Sequence, residues 1–296
     1  MPLVHKQTMK KPVKRANRGS VLDGACDIGE LPRSPRKILL YGPNRAGKTY
    51  LACCWPKPLL LASFEPTEAG GAESVRDFRG VKYLHVSSTA DAFKLAEELT
   101  ADPGRYKTLV IDSATSLQDV VLVEILGLLS MPISLSWGLV SGDQYRARAE
   151  KTKEILRKLL GCPLADTIVT AKERDHNPPK KTEDSKIDMR PKMVKPLEID
   201  SFIAADVGGA TAGWLLDCCD YIFRLYKDEE VVKKTIPVGK KTSTTYHRTG
   251  RYVRHLLVDY HPNYAGGCRL GKSRENIPES GILVKPTYEK IRELIE

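Results

Sequence analysis

Residues 42–50 read GPNRAGKTY and follow directly on the apolar run KILLY at 37–41. They contain the spacing G-x-x-x-x-G-K-[ST], which is typical of a loop that binds phosphate groups through its backbone N–H groups. Gly42 and Gly47 permit the backbone angles that such a loop needs. An apolar strand before the loop and a helical pattern after it (TYLACCW) place a helix N-terminus at the anion. The stretch therefore predicts a nucleotide site at the end of a strand.

Each part of this loop has an expected task. Lys48 carries the charge that reaches the β- and γ-phosphates, and Thr49 supplies a hydroxyl oxygen for Mg²⁺. The residues expected to surround the phosphates are Gly42, Pro43, Asn44, Arg45, Ala46, Gly47, Lys48, Thr49 and Tyr50. The implied ligands are a nucleoside triphosphate and Mg²⁺.

The composition adds an excess of positive charge to an otherwise ordinary balance. The chain has 296 residues, of which 41% are hydrophobic and 28% charged, enough for a sizeable core. A net charge of +10 predicts a polyanionic partner, although a nucleotide site also needs positive potential.

The first twenty residues lack the apolar part of a secretory signal, and no apolar run is long enough to cross a bilayer. We therefore expect a cytoplasmic protein without membrane contact. Seven cysteines without a C-x-x-C spacing predict reduced thiols.

Three regions are expected along the chain. Residues 1–35 read as a basic, flexible arm, because they lack apolar periodicity and most of their charges are Lys or Arg. Residues 36–275 form the folded domain, and residues 276–296 form a C-terminal tail or helix. Within the domain, residues 172–196 are rich in charge and proline and predict a long polar loop. Loops of this length are usually functional or disordered.

Short apolar runs that alternate with helical patterns predict the fold class. The runs that read as buried parallel strands are KILLY, PLLLASF (58–64), VKYLHV (81–86), TLVID (108–112) and DTIVTA (166–171). Their alternation with helices predicts an α/β fold with a mostly parallel, doubly wound sheet and the phosphate loop at a strand's carboxyl end. Further along, YIFRLY predicts another strand, and TTYHRTGRYVRHLLVDY predicts antiparallel C-terminal strands around a turn at Thr249-Gly250.

Two acidic residues are expected near the phosphates. Asp112 ends TLVID, where a carboxylate can hold Mg²⁺ through water; as an alternative it caps the helix that follows. Glu65 is expected to activate the attacking water from a strand beside the phosphate loop, unless it is only a surface residue before Pro66.

Ser113, and not an acid, follows Asp112, which counts against the helicase and AAA+ type with two adjacent acids. No N-K-x-D or D-x-x-G motif supports a GTPase. A small-molecule kinase with 172–196 as its lid stays open.

Four segments together resemble a known family. GPNRAGKTYLA, PLLLASFE, TLVIDSATSL and TIVTAKE are similar to the phage nucleotide-binding proteins of RecA type, the Sak-type ATPases found beside phage single-strand-annealing and recombination genes. The resemblance spans residues 36 to 275. It implies a RecA-like core, ATP with Mg²⁺, single-stranded DNA as partner and self-association into rings or filaments. A phage single-strand-binding protein would be a further partner.

The resemblance also implies roles for individual residues. ATPase roles fall on Lys48, Thr49, Glu65 and Asp112. Lys172 takes the position at the end of the fifth strand where RecA-like proteins have a polar residue that senses the γ-phosphate and leads into a DNA-binding loop. An ammonium group in place of an amide would alter that sensing.

Two basic regions are expected to act outside the nucleotide site. The loop 172–196 becomes a DNA-binding candidate, although plain disorder explains its composition nearly as well. Its cations that could follow a phosphate backbone are Lys172, Arg174, Lys180, Lys181, Arg190, Lys192 and Lys195. In RecA-like assemblies a cation from the late part of the chain reaches the ATP of the neighbouring subunit, and Arg251 or Arg269 could serve. A solvated basic hairpin and a further DNA-binding surface are the alternatives.

These expectations lead to one function and two alternatives. The first is an ATPase of phage DNA recombination or single-strand annealing, in which ATP controls assembly on single-stranded DNA. The second is a hexameric helicase-like or DNA-packaging motor. The third is a nucleotide-gated scaffold with negligible hydrolysis.

Overall fold

A computed structural model describes most of the chain after residue 34. The described residues are 35–66, 70–128, 140–175, 202–238, 241–268 and 275–295. A boundary between two units falls after Ser34, and all described residues belong to the second unit, Pro35–Glu296. The predicted basic arm, most of the predicted polar loop and Arg269 lie outside the described residues.

The elements follow the predicted alternation of strands and helices. The strands are β1 (Arg36–Gly42), β2 (Leu59–Ser63), β3 (Val81–His85), β4 (Thr108–Asp112), β5 (Asp166–Asp175), β6 (Ile203–Ala205), β7 (Tyr221–Val238), β8 (Lys241–Leu257), β9 (Gly267–Cys268) and β10 (Ile282–Val284). The helices are α1 (Lys48–Ala52), α2 (Thr89–Ala101), α3 (Ala114–Ile125), α4 (Gly142–Leu160), α5 (Gly209–Cys218) and α6 (Tyr288–Ile295). A short 3₁₀ helix covers Gly70–Val75.

One sheet organises the described part of the chain. Its order is β10-β8-β7-β1-β5-β4-β2-β3, with β6 on β5 and β9 on β7. The strands from β7 to β3 in this order pair in parallel, whereas β8 and β10 are antiparallel. The predicted α/β class, with a mainly parallel sheet and antiparallel C-terminal strands, is confirmed. Because β5 lies between β1 and β4, the strand of the phosphate loop and the strand of Asp112 are not neighbours.

The central strands are apolar because both faces of the sheet are covered. On β1, Leu39 and Tyr41 pack into one core with α2, α3, α4 and α5. Ile38 and Leu40 point to the other face and pack into a second core with α1 and α6. All four side chains are at most 1% exposed. This burial on both faces explains why the strands read as continuous apolar runs.

The C-terminal antiparallel strands are much longer than predicted. β7 has 18 residues and β8 has 17, and they pair along almost their whole length. The prediction of a turn at Thr249-Gly250 was wrong, because both residues lie inside β8. At this point the register between β7 and β8 shifts beside Glu229. Gly250 has a φ of 74°, and its N–H donates to Glu229 Oε1 at 2.8 Å. Gly250 therefore permits the irregular backbone at this shift in the pairing of β7 and β8. In the sequence, a glycine at such a shift looks the same as a glycine in a turn.

The segment after residue 275 adds to the same sheet and core. β10 pairs with β8, and α6 buries Ile291, Leu294 and Ile295 in the second core. The ring of Tyr288 lies 5.3 Å from that of Trp55, edge to face. In the part of the chain that the structure describes, no helix has the length and apolar character needed to span a membrane.

Candidate nucleotide site

The phosphate loop connects β1 to α1 in the conformation that its glycines allow. Gly42, Arg45 and Gly47 have φ values of 152°, 61° and 100°. A side chain on Gly42 would collide with the carbonyl oxygen of Leu225 on β7, so glycine is required there. The loop thus has the strand–loop–helix setting predicted for a phosphate site.

Lys48 is held by the loop to which it belongs. Its Nζ donates to the carbonyl oxygens of Gly42 and Pro43, both at 2.9 Å. Burial lowers the pKa of Lys48, and the carboxylates of Asp112 and Glu173 oppose that shift. A phosphate group would favour the charged ammonium further, since it adds negative charge beside a partly desolvated cation.

Asp112 uses both carboxylate oxygens. Its Oδ2 accepts a hydrogen bond from Thr49 Oγ1 at 2.9 Å, and its Oδ1 accepts one from Thr170 Oγ1 at 2.6 Å. The residue is only 6% exposed, and this burial raises the pKa of Asp112, whereas the two hydroxyl donors lower it. The alternative role as a helix cap does not apply, because Ser113 caps α3 by accepting from Ser116 N. Asp112 and Thr49 are brought together as predicted.

A glycine closes this oxygen pair from the other side. A β-carbon on Gly71, in the 3₁₀ helix, would lie 2.7 Å from Thr49 Oγ1 and 3.1 Å from Asp112 Oδ2. Hydroxyl and carboxylate oxygens are hard donors that suit Mg²⁺, which usually binds through one or two carboxylates, phosphates and water. Within the described residues no cluster of three or more His, Cys, Asp or Glu could hold a metal ion. The residues present fit Mg²⁺ held jointly with a nucleotide.

Glu65 reaches this site from an unexpected strand. It follows β2, and both β5 and β4 lie between β2 and β1, so the prediction of a strand beside the phosphate loop was wrong. The chain order of the strands does not reveal their order in the sheet, and this is the reason for the error. Glu65 Oε1 accepts from Ser116 Oγ at 2.8 Å, and Ser116 Oγ lies 2.9 Å from Ser113 Oγ. Burial has the largest effect on the pKa of Lys48 and of Asp112. The negative charge of Glu65 is a further influence on both groups and favours a higher pKa for each.

The end of β5 brings two charged residues towards the loop. Lys172 lies opposite Gly42 in the β1–β5 register, and its charge is among the causes that lower the Lys48 pKa. The next residue, Glu173, accepts two hydrogen bonds from Arg224 at 2.9 and 3.4 Å and favours the charged form of Lys48. Sequence reasoning missed Glu173, although an acid two residues after the predicted strand DTIVTA was a usable signal.

The predicted basic residues are only partly described. Arg174 is exposed and lies 3.9 Å from Asp206 in an ion pair. Arg251 is exposed on β8. The remaining candidates lie outside the described residues: Lys180, Lys181, Arg190, Lys192, Lys195 and Arg269. Within the described residues, Arg254 of β8 lies against the phosphate loop, and no motif in the sequence distinguishes it from its basic neighbours.

Comparison with known proteins assigns the family. Residues 34–259 match the family model described as "AAA domain", which covers more than half of the chain, and the chain belongs to this family. No curated protein matches the chain in sequence. Among solved structures it is similar to the KaiC-like protein PH0186 from Pyrococcus horikoshii OT3, with 13% identity over 85% of this chain and 90% of that chain and a TM-score of 0.36. It is also similar to the RadB recombinase, with 13% identity, coverage of 76% and 89%, and a TM-score of 0.35.

The family match bears on one inference from the sequence. The missing acid after Asp112 counted against the helicase and AAA+ type with two adjacent acids, and the matched family is described as an AAA domain. In this chain the candidate for the second acid is Glu65, which follows β2, and Ser113 instead caps α3. The absence of an acidic residue directly after Asp112 therefore does not exclude membership of the family.

Proposed function

We propose that this member of the AAA domain family is a Mg²⁺-dependent ATPase that single-stranded DNA stimulates and that acts in DNA recombination or strand annealing in the cytoplasm. The observation that carries the ATPase part is the Thr49–Asp112–Thr170 hydrogen-bond chain behind a complete phosphate loop. A hydroxyl and a buried carboxylate at this place are the protein ligands that a nucleotide-bound Mg²⁺ needs.

The residues have separate tasks in the proposed hydrolysis. Thr49 and Asp112 hold Mg²⁺, which when bound would neutralise the charge on the β- and γ-phosphate oxygens. Thr170 fixes the Asp112 carboxylate through its 2.6 Å hydrogen bond. Lys48 exchanges its two carbonyl partners for phosphate oxygens, because a charged acceptor forms the stronger hydrogen bond.

Glu65 is the proposed base. Its carboxylate accepts the proton of the attacking water, and the hydrogen bond from Ser116 Oγ fixes its orientation. The influence of Glu65 on both Lys48 and Asp112 supports its place beside the phosphates. Lys172 is proposed to respond to the γ-phosphate from the end of β5, where it adds to the positive potential around Lys48.

One strand supports a link between nucleotide and DNA. β5 carries Thr170, which binds Asp112, and two residues later Lys172. The exposed Arg174 follows, at the start of the basic stretch proposed to bind DNA. A shift of this strand end on nucleotide binding would move the proposed DNA contacts, and the net charge of +10 favours a polyanion. Self-association into a ring or filament, with Arg251 or Arg269 reaching a neighbour's nucleotide, belongs to the same proposal.

The test is ATP hydrolysis measured with and without single-stranded DNA, with Lys48→Ala as the blank. The expected result is Mg²⁺-dependent hydrolysis that DNA increases several-fold, and that both the blank and Glu65→Gln lose. Lys48→Ala should fail to bind ATP, whereas Glu65→Gln should still bind it. Hydrolysis that DNA leaves unchanged would refute the DNA part. Nucleotide binding without measurable hydrolysis would favour a nucleotide-gated scaffold, and directional strand displacement would favour a motor.

A further inference from the structure

Arg254 of β8 lies directly against the phosphate loop of its own chain. A β-carbon built on Gly47 would lie 2.8 Å from Arg254 Nε and 3.1 Å from both Cζ and Nη2. The side chain can approach so closely only because Gly47 has no side chain. The backbone N–H groups around Gly47 are those expected to surround the phosphates. A guanidinium at this distance is within reach of an anion bound there.

The guanidinium is held by an aromatic ring. The Cζ of Arg254 lies 5.1 Å from the centre of the Tyr50 ring, and the Phe78 ring packs edge-on against Tyr50 at 5.1 Å. The Arg254 carbonyl oxygen accepts from Lys285 N at 2.8 Å, which fixes the backbone. Over the described ranges, no carboxylate lies within ion-pair distance of the Arg254 side chain. The cation is therefore positioned and partly buried, and it has no anionic partner among the described residues.

A cavity opens beside this arginine. It has a volume of about 500 Å³ and is lined by Tyr50, Tyr252, Arg254 and residues 285–287, among others. A second cavity of about 240 Å³ shares Tyr50 and Arg254 and extends to Tyr288 and Glu289. Volumes of this size suit a small organic ligand, and aromatic walls suit a planar base. Both cavities lie next to Tyr50, the residue that directly follows the Mg²⁺-binding Thr49.

We propose that Arg254 binds the phosphates of the nucleotide held by its own chain, and that the cavity beside Tyr50 receives the nucleoside. This inference rests on the proposed function and assigns a residue to it. A planar guanidinium can bind two phosphate oxygens at once, which a lysine at this position could not do. The phosphate loop then binds the anion from one side, and β8 binds it from the other.

The consequence concerns assembly. A cation supplied by the same chain lets nucleotide bind with full affinity in a single subunit. Arg251, three residues earlier on the same strand, remains available for a neighbour because it is exposed. Affinity for nucleotide is therefore independent of protein concentration, even where hydrolysis needs a neighbour.

The experiment compares nucleotide affinity in variants of the full chain. The dissociation constants of Mg²⁺–ADP and adenosine are measured by calorimetry for the wild type, Arg254→Ala, Arg254→Lys and the control Arg248→Ala. Arg248 is an exposed arginine of the same strand that pairs with Glu229 away from the loop. We expect Arg254→Ala to weaken ADP binding about tenfold or more and to leave adenosine unchanged, because adenosine has no phosphate for the guanidinium to bind. The ADP affinity of Arg254→Lys should fall between those of the wild type and Arg254→Ala, and the ADP affinity of Arg248→Ala should equal that of the wild type.

Mixing two variants tests whether the residue acts within one chain. Lys48→Ala protein keeps Arg254 but cannot bind nucleotide, and Arg254→Ala protein keeps the loop. If Arg254 acts on its own chain, the mixture binds ADP no better than Arg254→Ala alone. Restored affinity in the mixture, or wild-type ADP affinity of a folded Arg254→Ala, overturns this inference alone. A wild type that shows no Lys48-dependent ADP binding overturns both proposals. Thermal unfolding of each variant confirms folding, and Arg254→Lys gives the answer if Arg254→Ala does not fold.

Discussion

Asp112 illustrates how a residue of the candidate site can oppose the stability of its own fold. Burial raises the pKa of Asp112, so the folded state binds its proton more tightly than the unfolded chain does. Its favourable contribution is therefore complete below the unfolded pKa and is lost as the pH rises through the folded pKa. At neutral pH the ionised carboxylate destabilises the nucleotide-free protein, and the hydrogen bonds from Thr49 and Thr170 offset only part of this cost.

Asp112→Asn is therefore expected to stabilise the protein and impair the site. We expect the midpoint of thermal unfolding without nucleotide to rise by about 2 °C or more at pH 7, because no buried charge remains. The gain should vanish as the pH falls towards the range where Asp112 itself is protonated. Mg²⁺-dependent ATP affinity should fall about 10- to 100-fold. Calorimetric scans across pH measure the first effect. A lower midpoint at pH 7 would contradict the argument.

Gly71 offers a second test at the residue scale. A methyl group there would meet Thr49 Oγ1 at 2.7 Å and Asp112 Oδ2 at 3.1 Å, so one of these oxygens must move. We expect Gly71→Ala to weaken Mg²⁺-dependent ATP binding about tenfold. Binding measured in EDTA should change little. Gly104→Ala is the matched control, because a β-carbon there meets no atom within 4 Å. Equal Mg²⁺ dependence in both variants would show that the 3₁₀ helix does not shape the site.

The sequence predicted those site residues that local spacing reveals. The phosphate loop, with Lys48 and Thr49, follows from nine consecutive residues, and Asp112 follows from its place after a buried strand. Thr170 and Gly71 were missed because only the pairing of distant strands and the path of a loop bring them to Asp112. Arg254 was missed for the same reason, since about two hundred residues separate it from the loop.

At the scale of elements, prediction succeeded where burial imposes a pattern. All five predicted parallel strands exist, and four of them are buried on both faces and so are continuously apolar, whereas β3 is a largely exposed edge strand. The β7–β8 hairpin was misread because much of it lies outside the core. Val231, Tyr246 and Tyr252 are 51%, 70% and 68% exposed, so burial selects no alternating pattern there. A glycine inside β8 then looked like a turn.

Helix α6 gives a prediction about stability. Ile291 of this eight-residue helix is fully buried in the second core, together with residues of α1 and of the sheet. We expect Ile291→Ala to lower the free energy of unfolding by about 2–5 kcal/mol, through reduced apolar burial and the cavity that remains. Urea unfolding measures this difference. Glu293→Ala, an exposed position on the same helix, should change it by about 0.5 kcal/mol or less. Equal decreases in both variants would mean that α6 does not stabilise the domain through its apolar face.

At the scale of the whole molecule, the proposed tasks divide along the sheet. The phosphate loop, Asp112 and Glu65 all lie at the carboxyl ends of parallel strands, where open α/β sheets bind ligands. The long antiparallel strands β7 and β8 extend the sheet beyond β1 and deliver Arg254 to the loop. The nucleotide site thus joins the two halves of the sheet, and nucleotide binding is expected to stabilise both together.

The basic charge of the chain leads to the last prediction. Residues 1–34 are rich in Lys and Arg, and single-stranded DNA releases counterions when cations bind its phosphates. We expect a chain that begins at Pro35 to keep its ADP affinity, since the described site lies within Pro35–Glu296. Its affinity for single-stranded DNA should be lower and less dependent on salt, with the slope of log affinity against log salt reduced by about 0.7 for each phosphate that the shorter chain no longer neutralises. Fluorescence anisotropy with labelled oligonucleotide between about 50 and 200 mM salt measures both quantities. An unchanged slope would mean that residues 1–34 do not contact DNA and that the proposed interface lies wholly within the folded unit.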